Sequence, residues 1–143
     1  MDNFRLSFEF FPTKTEEGTK KLYATRDKLA ALKPDFFSVT YGAGGSTRSN
    51  TIDIVTGLNE KGIVTAPHLS CVGESTENIK ELLNFYADNN VERIVALRGD
   101  LPSGMAASAG DLRYANELVE LIKTEHGNRF HLEVAAYPEM HQQ

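Results

Sequence analysis

The chain has 143 residues, 41% of them hydrophobic and 24% charged, as in an ordinary globular domain that is large enough to bury a core. Its 20 acidic residues outnumber its 15 lysines and arginines, and the net charge of −5 argues against binding to nucleic acid or to an anionic membrane surface. The sequence begins without an apolar signal core and has no run long enough to span a membrane, so we expect a cytoplasmic protein.

The first part of the chain predicts a strand, a helix and a second strand. Hydrophobic and polar residues alternate over positions 6–10, which is the period of a strand, and Pro12 ends the pattern. Thr15 is a typical helix N-cap, and the helix stops before Pro34. Its apolar stripe consists of Leu22, Leu29 and Leu32. The run over 36–41 predicts the second strand.

The middle of the chain repeats this order. A second helix is predicted from Ser46 to Gly62, where the glycine is the expected C-terminal residue. A third strand follows over 63–68, and a third helix begins at about Ser75. The residues that we expect this helix to bury are Ile79, Leu82, Leu83 and Tyr86.

The last part predicts a fourth strand over 91–98, a fourth helix and a fifth strand over 132–137. Ser108 with Asp111 three residues later resembles a capping pattern for the fourth helix, which Gly127 closes. The apolar stripe of this helix consists of Leu112, Ala115, Val119 and Ile122.

Strand and helix thus alternate four times before the fifth strand, with about thirty residues to a unit, which predicts right-handed crossovers and a parallel sheet. The predicted fold class is α/β of the parallel (β/α)-barrel type. Four strand–helix units and a fifth strand form a single partial TIM-barrel domain over 1–143.

One functional side chain closes each predicted strand, and catalytic groups of barrels lie at the carboxyl ends of strands. These side chains belong to Glu9, Thr40, His68, Arg98 and Tyr137. If alternate residues face the barrel interior, the inward set includes Glu9, Ser38, Thr40, Ala96, Arg98, Glu133 and Tyr137. The set predicted to face the helices includes Phe8, Phe10, Phe37, Val39, Val95, Leu97, Leu132 and Val134. We therefore expect one shared mouth.

Glu9 stands among three phenylalanines, and apolar neighbours disfavour a charged carboxylate, which suits a general acid. A solvated glutamate at a strand end is the alternative. His68 is compatible with a general base, a ligand donor or a buried core histidine, and the absence of a nearby second ligand disfavours a metal. The glycine-rich segment 42–47 fits a phosphate loop or a plain turn. Cys71 is the one cysteine, and we expect it to be buried and inert.

Arg98, Gly99 and Asp100 form a tripeptide that is also known from cell adhesion. Adhesion requires an exposed loop tip, whereas Arg98 closes the apolar run 94–97. This position favours a role in which Arg98 and Asp100 contact a ligand at the carboxyl end of a buried strand. A purely structural turn is the alternative.

Five blocks resemble the bacterial methylenetetrahydrofolate reductase family, in the order and at the spacing of that family. They are SFEFFP at 7–12, SVTYGA at 38–43, APHL at 66–69, LRGD at 97–100 and AYPE at 136–139. The resemblance implies an eight-stranded (β/α) barrel that carries FAD. It also implies hydride transfer from NADH or NADPH through the flavin to 5,10-methylenetetrahydrofolate, which yields 5-methyltetrahydrofolate.

By position, the resemblance implies that Glu9 is the acid that protonates the folate, and that Asp100 lies near both flavin and pterin. It implies no metal ligands. The implied FAD contacts are Tyr41, Ala43, His68, Arg98, Gly99, Asp100, Tyr114, Ala115, Tyr137 and His141. The implied nicotinamide contacts are Thr40 and Tyr137.

The barrel of that family needs about twice this length. An isolated half-barrel has two unpaired edge strands, so we expect a homo-oligomer or a fragment that lacks its C-terminal half. The alternatives to the reductase are a non-catalytic half-barrel that binds flavin or folate with a partner half, and another barrel enzyme such as a lyase.

Overall fold

The computed structural model describes residues 4–41, 48–100 and 110–137. In this part of the chain, five strands alternate with four helices. The elements are β1 (Ser7–Phe10), α1 (Glu16–Ala30), β2 (Phe36–Val39), α2 (Arg48–Asn59), β3 (Thr65–Ser70), α3 (Thr76–Asp88), β4 (Arg93–Leu97), α4 (Ala115–His126) and β5 (His131–Val134). The strands pair in chain order and all four pairs are parallel, which confirms the predicted α/β fold. Within the described residues β1 and β5 do not pair with each other, so the barrel is open.

The strand bounds differ from the predicted ones by a few residues. β3 begins and ends two residues later than predicted, which places His68 inside the strand. β4 ends at Leu97, one residue before Arg98, and β5 ends at Val134, three residues before Tyr137. Three of the five side chains predicted to close a strand, those of Thr40, Arg98 and Tyr137, therefore lie beyond the last residue of their strand.

The predicted helix ends are largely confirmed. The Oγ1 atom of Thr15 accepts a hydrogen bond from the N–H of Gly18 at 3.0 Å, and Ser75 caps α3 in the same way. Regular α2 ends at Asn59, but Gly62 still closes it, because Gly62 has φ +74° and its N–H donates to the Asn59 carbonyl. Ser46 and Ser108 lie outside the described residues.

The predicted role of Asp111 as a cap of the fourth helix is wrong. Its Oδ2 atom accepts the N–H of Thr76 at 2.7 Å, so Asp111 caps the beginning of α3 instead. This hydrogen bond lowers the pKa of Asp111. The beginning of α4 is capped by Glu117, whose Oε2 atom accepts the N–H of Tyr114 at 2.9 Å. A contact between two elements was mistaken for a capping pattern within one helix.

The core lies between the sheet and the four helices, on what we call the helix face. Phe37 and Val39 of β2 lie there, and Phe8 and Phe10 stack on Phe37 from the neighbouring strand. The helices cover this face with Leu22, Ile54, Val55, Leu58, Ile79, Leu82, Leu83, Tyr86, Leu118 and Ile122, which are all buried. Leu32 follows the end of α1 and is exposed, contrary to prediction, because the helix ends at Ala30.

The opposite side of the sheet, which we call the inner face, carries Glu9, Ser38, His68, Val95 and Glu133, as the register of the strands shows. The predicted orientation of β4 is wrong. Ile94 and Ala96 are fully buried against the helices, whereas Val95 and Leu97 lie on the inner face. The prediction counted back from an inward Arg98, which is invalid because that residue lies beyond the strand.

None of the helices in the described part of the chain is both long enough and apolar enough to cross a membrane.

Candidate functional site

Glu9 and His68 meet on the inner face although they belong to β1 and β3. The Oε2 atom of Glu9 lies 3.2 Å from the Nε2 atom of His68. His68 is buried, and this burial lowers the pKa of the imidazole below its ordinary value of 6.5, while the charge of Glu9 acts in the opposite direction. The described geometry therefore joins a neutral imidazole to a carboxyl group.

The apolar enclosure that was predicted for Glu9 is wrong. Phe8 and Phe10 point to the helix face, where their ring centroids lie 6.1 and 5.4 Å from that of Phe37. The side chain of Glu9 remains 50% exposed. The period of a strand sends sequence neighbours to opposite faces, so neighbours in sequence do not form the surroundings of the carboxylate.

A second group of predicted residues surrounds a cavity of about 510 Å³ at the carboxyl ends of β4 and β5. Six residues of the predicted site line it: Arg98, Gly99, Asp100, Tyr114, Ala115 and Tyr137. The beginning of α4 supplies two of these residues, and the segments after β4 and β5 supply the others. Parallel strands bring their carboxyl ends to one edge, which explains why residues distant in sequence gather there.

Arg98 presents an unsatisfied donor at this cavity. Its Nε atom is buried and has no hydrogen-bond partner among the described residues. The guanidinium carbon lies 6.0 Å from the ring centroid of Tyr114, at the outer limit of a cation–π contact. A half-buried arginine with a free donor fits an anionic ligand better than an exposed adhesion loop.

Gly99 lets the backbone pass close to β3. It has φ +81°, and a Cβ atom at this position would lie 2.7 Å from the Cβ atom of Ser70. Both the left-handed backbone and the lack of space require glycine here. The turn that aims Arg98 and Asp100 at the cavity therefore depends on Gly99.

Thr40 and Tyr41 directly follow β2 and contact other elements. The carbonyl of Thr40 accepts a hydrogen bond from the Thr51 hydroxyl at 2.9 Å, and the Tyr41 hydroxyl donates to Oε1 of Glu74 at 2.9 Å. Burial and this hydrogen bond raise the pKa of Tyr41, so the phenol stays protonated. Glu74 was not predicted, although its position directly before the helix cap Ser75 was a signal that could have identified it.

The predicted site residues thus fall into three contact groups: the Glu9–His68 pair, the surroundings of Tyr41, and the cavity at Arg98. Ala43 and His141, together with the glycine-rich segment 42–47, lie outside the described residues. In the described ranges, no group of three or more histidine, cysteine or acidic side chains could hold a metal ion. Cys71 is buried as predicted, and burial raises the pKa of its thiol.

A further ionic cluster on the inner face was not predicted. Glu133 accepts a contact from the Arg93 guanidinium, and its Oε1 atom also lies 3.2 Å from Nε2 of His131. Arg93 stacks over the ring of Phe36 at 4.6 Å. The sequence had correctly indicated that Glu133 faces inward. Its partner Arg93 was not identified, because the orientation of β4 was predicted wrongly.

Comparison with known proteins identifies relatives over the whole chain. The family model for methylenetetrahydrofolate reductase matches residues 1–143. The 5,10-methylenetetrahydrofolate reductase of Buchnera aphidicola subsp. Schizaphis graminum is 47% identical over 141 residues, which are 98% of this chain and 47% of the relative. The enzyme of the same name from Escherichia coli K12 is 42% identical over 137 residues, 95% of this chain and 45% of the relative.

A plant protein, the probable methylenetetrahydrofolate reductase (NADH) of Oryza sativa subsp. japonica, is 39% identical over 139 residues, 94% of this chain and 23% of the relative. The chain spans about half the length of the bacterial relatives that it matches. The match of the family model over all 143 residues and the level of identity to these relatives show that the chain belongs to the methylenetetrahydrofolate reductase family.

Proposed function

We propose that this chain provides the acid and part of the cofactor site of a flavin-dependent reductase. The reaction converts 5,10-methylenetetrahydrofolate into 5-methyltetrahydrofolate, with NADH or NADPH as the hydride donor. The observation that carries the proposal is the cavity at the end of β4, where a buried Nε atom of Arg98 lacks a partner among the described residues. The name of the rice relative, which specifies NADH, favours NADH as the donor.

The residues around the cavity fit FAD. Arg98 suits a diphosphate, because its guanidinium can donate paired hydrogen bonds to phosphate oxygens. Gly99 lets the backbone come close to a ligand, and Tyr114 offers an aromatic ring beside Arg98. When bound, FAD would supply hydride transfer between nicotinamide and folate. The further FAD contacts that we propose are Tyr41, Ala43, His68, Asp100, Ala115, Tyr137 and His141.

Glu9 is the proposed acid for the folate. Its carboxyl group is half exposed on the inner face, so a substrate can reach it. A proton given to the folate nitrogen would open the methylene bridge and make the carbon accept hydride more readily. Asp100 would contact the pterin, and its carboxylate would disfavour further negative charge on the nearby flavin. Thr40 and Tyr137 would hold the nicotinamide.

Flavin binding is tested with the purified chain, FAD and an Arg98→Met variant. We expect the wild type to retain FAD and to lose its yellow colour on addition of NADH, and we expect Arg98→Met to bind FAD roughly ten- to a hundred-fold more weakly. Arg5→Met is the matched control, because Arg5 is an exposed arginine at the amino end of β1. A folded wild-type chain that does not bind FAD would contradict the proposal.

The acid is tested by Glu9→Gln in the FAD-loaded protein. We expect this substitution to abolish folate reduction and to leave most of the NADH oxidation by the flavin. Glu133→Gln, which removes another carboxylate of the inner face, is the control. Loss of both half-reactions in Glu9→Gln would show that Glu9 is not the acid for folate.

We also propose that the sheet is completed by a second polypeptide segment, either another copy of this chain or a C-terminal half of the barrel. The support is that β1 and β5 each have one neighbour among the described strands, which leaves two open edges. Sedimentation of the purified chain tests this proposal. We expect self-association, and a monomer that unfolds cooperatively would contradict it.

A further inference from the structure

The contact between Glu9 and His68 suggests a role for His68 besides the cofactor contact proposed above. The two side chains lie on strands that are separated by β2. Between them, the inner face carries Ser38 and Ala66, whose small side chains leave room for the longer ones to meet. His68 is only 8% exposed, so it is fixed by its surroundings, whereas Glu9 reaches from the edge strand towards it.

We propose that His68 is a positioning residue for Glu9: its neutral imidazole donates a hydrogen bond from Nε2 to Oε2, so that Oε1 carries the proton for the substrate. This inference rests on the proposed role of Glu9 in folate reduction. In the transfer, the O–H bond at Oε1 breaks, and an N–H bond forms with the lone pair of the folate nitrogen. The electron pair of the broken bond stays on Glu9 as a carboxylate, and His68 keeps its own proton.

The charge state of His68 supports this role. A protonated imidazole beside Glu9 would stabilise the carboxylate and so deprive the acid of its proton. Burial lowers the pKa of His68, which keeps the imidazole neutral near pH 7 despite the nearby carboxylate. A neutral imidazole still orients the acid and stabilises the carboxylate that is left after proton transfer.

The other charged groups on the inner face of the described strands are already paired with one another. Glu133 of β5 contacts both Arg93 of β4 and His131 of its own strand. His131 lies as far from its carboxylate as His68 does from Glu9, at 3.2 Å, but its side chain is 54% exposed. Glu133 and His131 thus form a matched control pair on the same face of the same sheet.

The first experiment is histidine NMR on the ¹⁵N-labelled 143-residue chain, with His68→Gln used to assign the signal. We expect His68 to carry its proton on Nε2 at neutral pH. In the chain without substrate, the charge of Glu9 raises the pKa of His68, so Glu9→Gln should move the titration of His68 to lower pH. Glu133→Gln should leave the titration where it is. A proton on Nδ1, or a titration that Glu9→Gln does not move, would overturn the proposal.

The second experiment compares His68→Leu with His68→Gln in the FAD-loaded protein. The leucine variant loses the donor, so the rate of folate reduction relative to flavin reduction by NADH should fall roughly ten- to a hundred-fold. The glutamine amide supplies an N–H donor and should restore most of this ratio. Equal ratios in the two variants would contradict the positioning role. If the wild type does not reduce folate, the proposed function fails, and the NMR result alone decides whether Glu9 and His68 are paired.

Discussion

The two faces of the sheet differ in what they bury. The helix face is apolar and buried, and Phe37, Val39 and Ile94 are at most 2% exposed there. The inner face carries ionisable groups, among them Glu9 and His68, and much of it is only partly buried. The comparison shows that one face supplies the stability of the fold, while the other is free to carry charged groups that stability alone would disfavour.

The largest expected effect is a difference in the free energy of unfolding between substitutions on the two faces of β4. Ile94→Ala and Leu97→Ala remove the same number of carbon atoms, but Ile94 is fully buried on the helix face and Leu97 is partly exposed on the inner face. We expect Ile94→Ala to lower the free energy of unfolding by about 2–5 kcal/mol and Leu97→Ala to lower it by about 1 kcal/mol. Urea denaturation measures both values. A larger loss in Leu97→Ala would restore the orientation predicted from the sequence.

The orientation of β4 also marks the limit of what the sequence predicts. Hydrophobic periodicity and helix caps such as Thr15 gave the correct order of elements, because these signals are local. The orientation failed because it depended on where β4 ends, and strand ends vary by a few residues without a local signal. The predicted cap at Asp111 failed for a related reason, since its partner Thr76 belongs to another element.

The site was predictable to a similar extent. The strand ends identified Arg98 and Tyr137 of the cavity, because parallel strands gather their carboxyl ends, whereas Tyr114 and Ala115 came only from the family resemblance. The pairing of Glu9 with His68 was not predictable, since it requires the stagger between β1 and β3 and the small side chain of Ser38 between them. Sequence gives the residue types at an edge, but contacts across strands depend on register.

A smaller loss of stability is expected when alanine replaces a glycine whose backbone has a positive φ angle. Gly99→Ala forces alanine into a left-handed conformation and places its Cβ atom 2.7 Å from that of Ser70, whereas Gly62→Ala meets a similar φ with nothing within 4 Å. We expect a loss of about 1 kcal/mol in Gly62→Ala and about 2–3 kcal/mol in Gly99→Ala. Thermal unfolding measures the difference.

The cause of that difference is tested by a second substitution. Ser70→Gly removes the side chain that the new Cβ atom would meet, so it should make Gly99→Ala cost as much as Gly62→Ala. If Ser70→Gly does not reduce the cost of Gly99→Ala, the constraint at the cavity comes from the backbone conformation alone. The close approach of β4 to β3 would then have no energetic role.

The smallest effect is a pH dependence that distinguishes a buried histidine of the inner face from an exposed one. Burial lowers the folded-state pKa of His68 from its ordinary value of 6.5, which applies in the unfolded chain. Between the folded-state pKa and 6.5, the unfolded chain therefore binds more protons than the folded chain. Stability therefore falls as the pH drops below about 6.5, until the folded-state pKa is also passed. We expect His68→Gln to flatten this dependence, as measured by urea denaturation between pH 7 and about pH 5.

His131→Gln provides the matched control, because His131 has a carboxylate at the same distance but lies in solvent. It should leave the slope of stability against pH almost unchanged, because the side chain of His131 is 54% exposed, whereas burial causes the shift at His68. Equal flattening by the two variants would mean that burial of the imidazole does not set the pH dependence. The inner face would then behave as a solvated surface, and the reason for assigning a neutral imidazole to His68 would be lost.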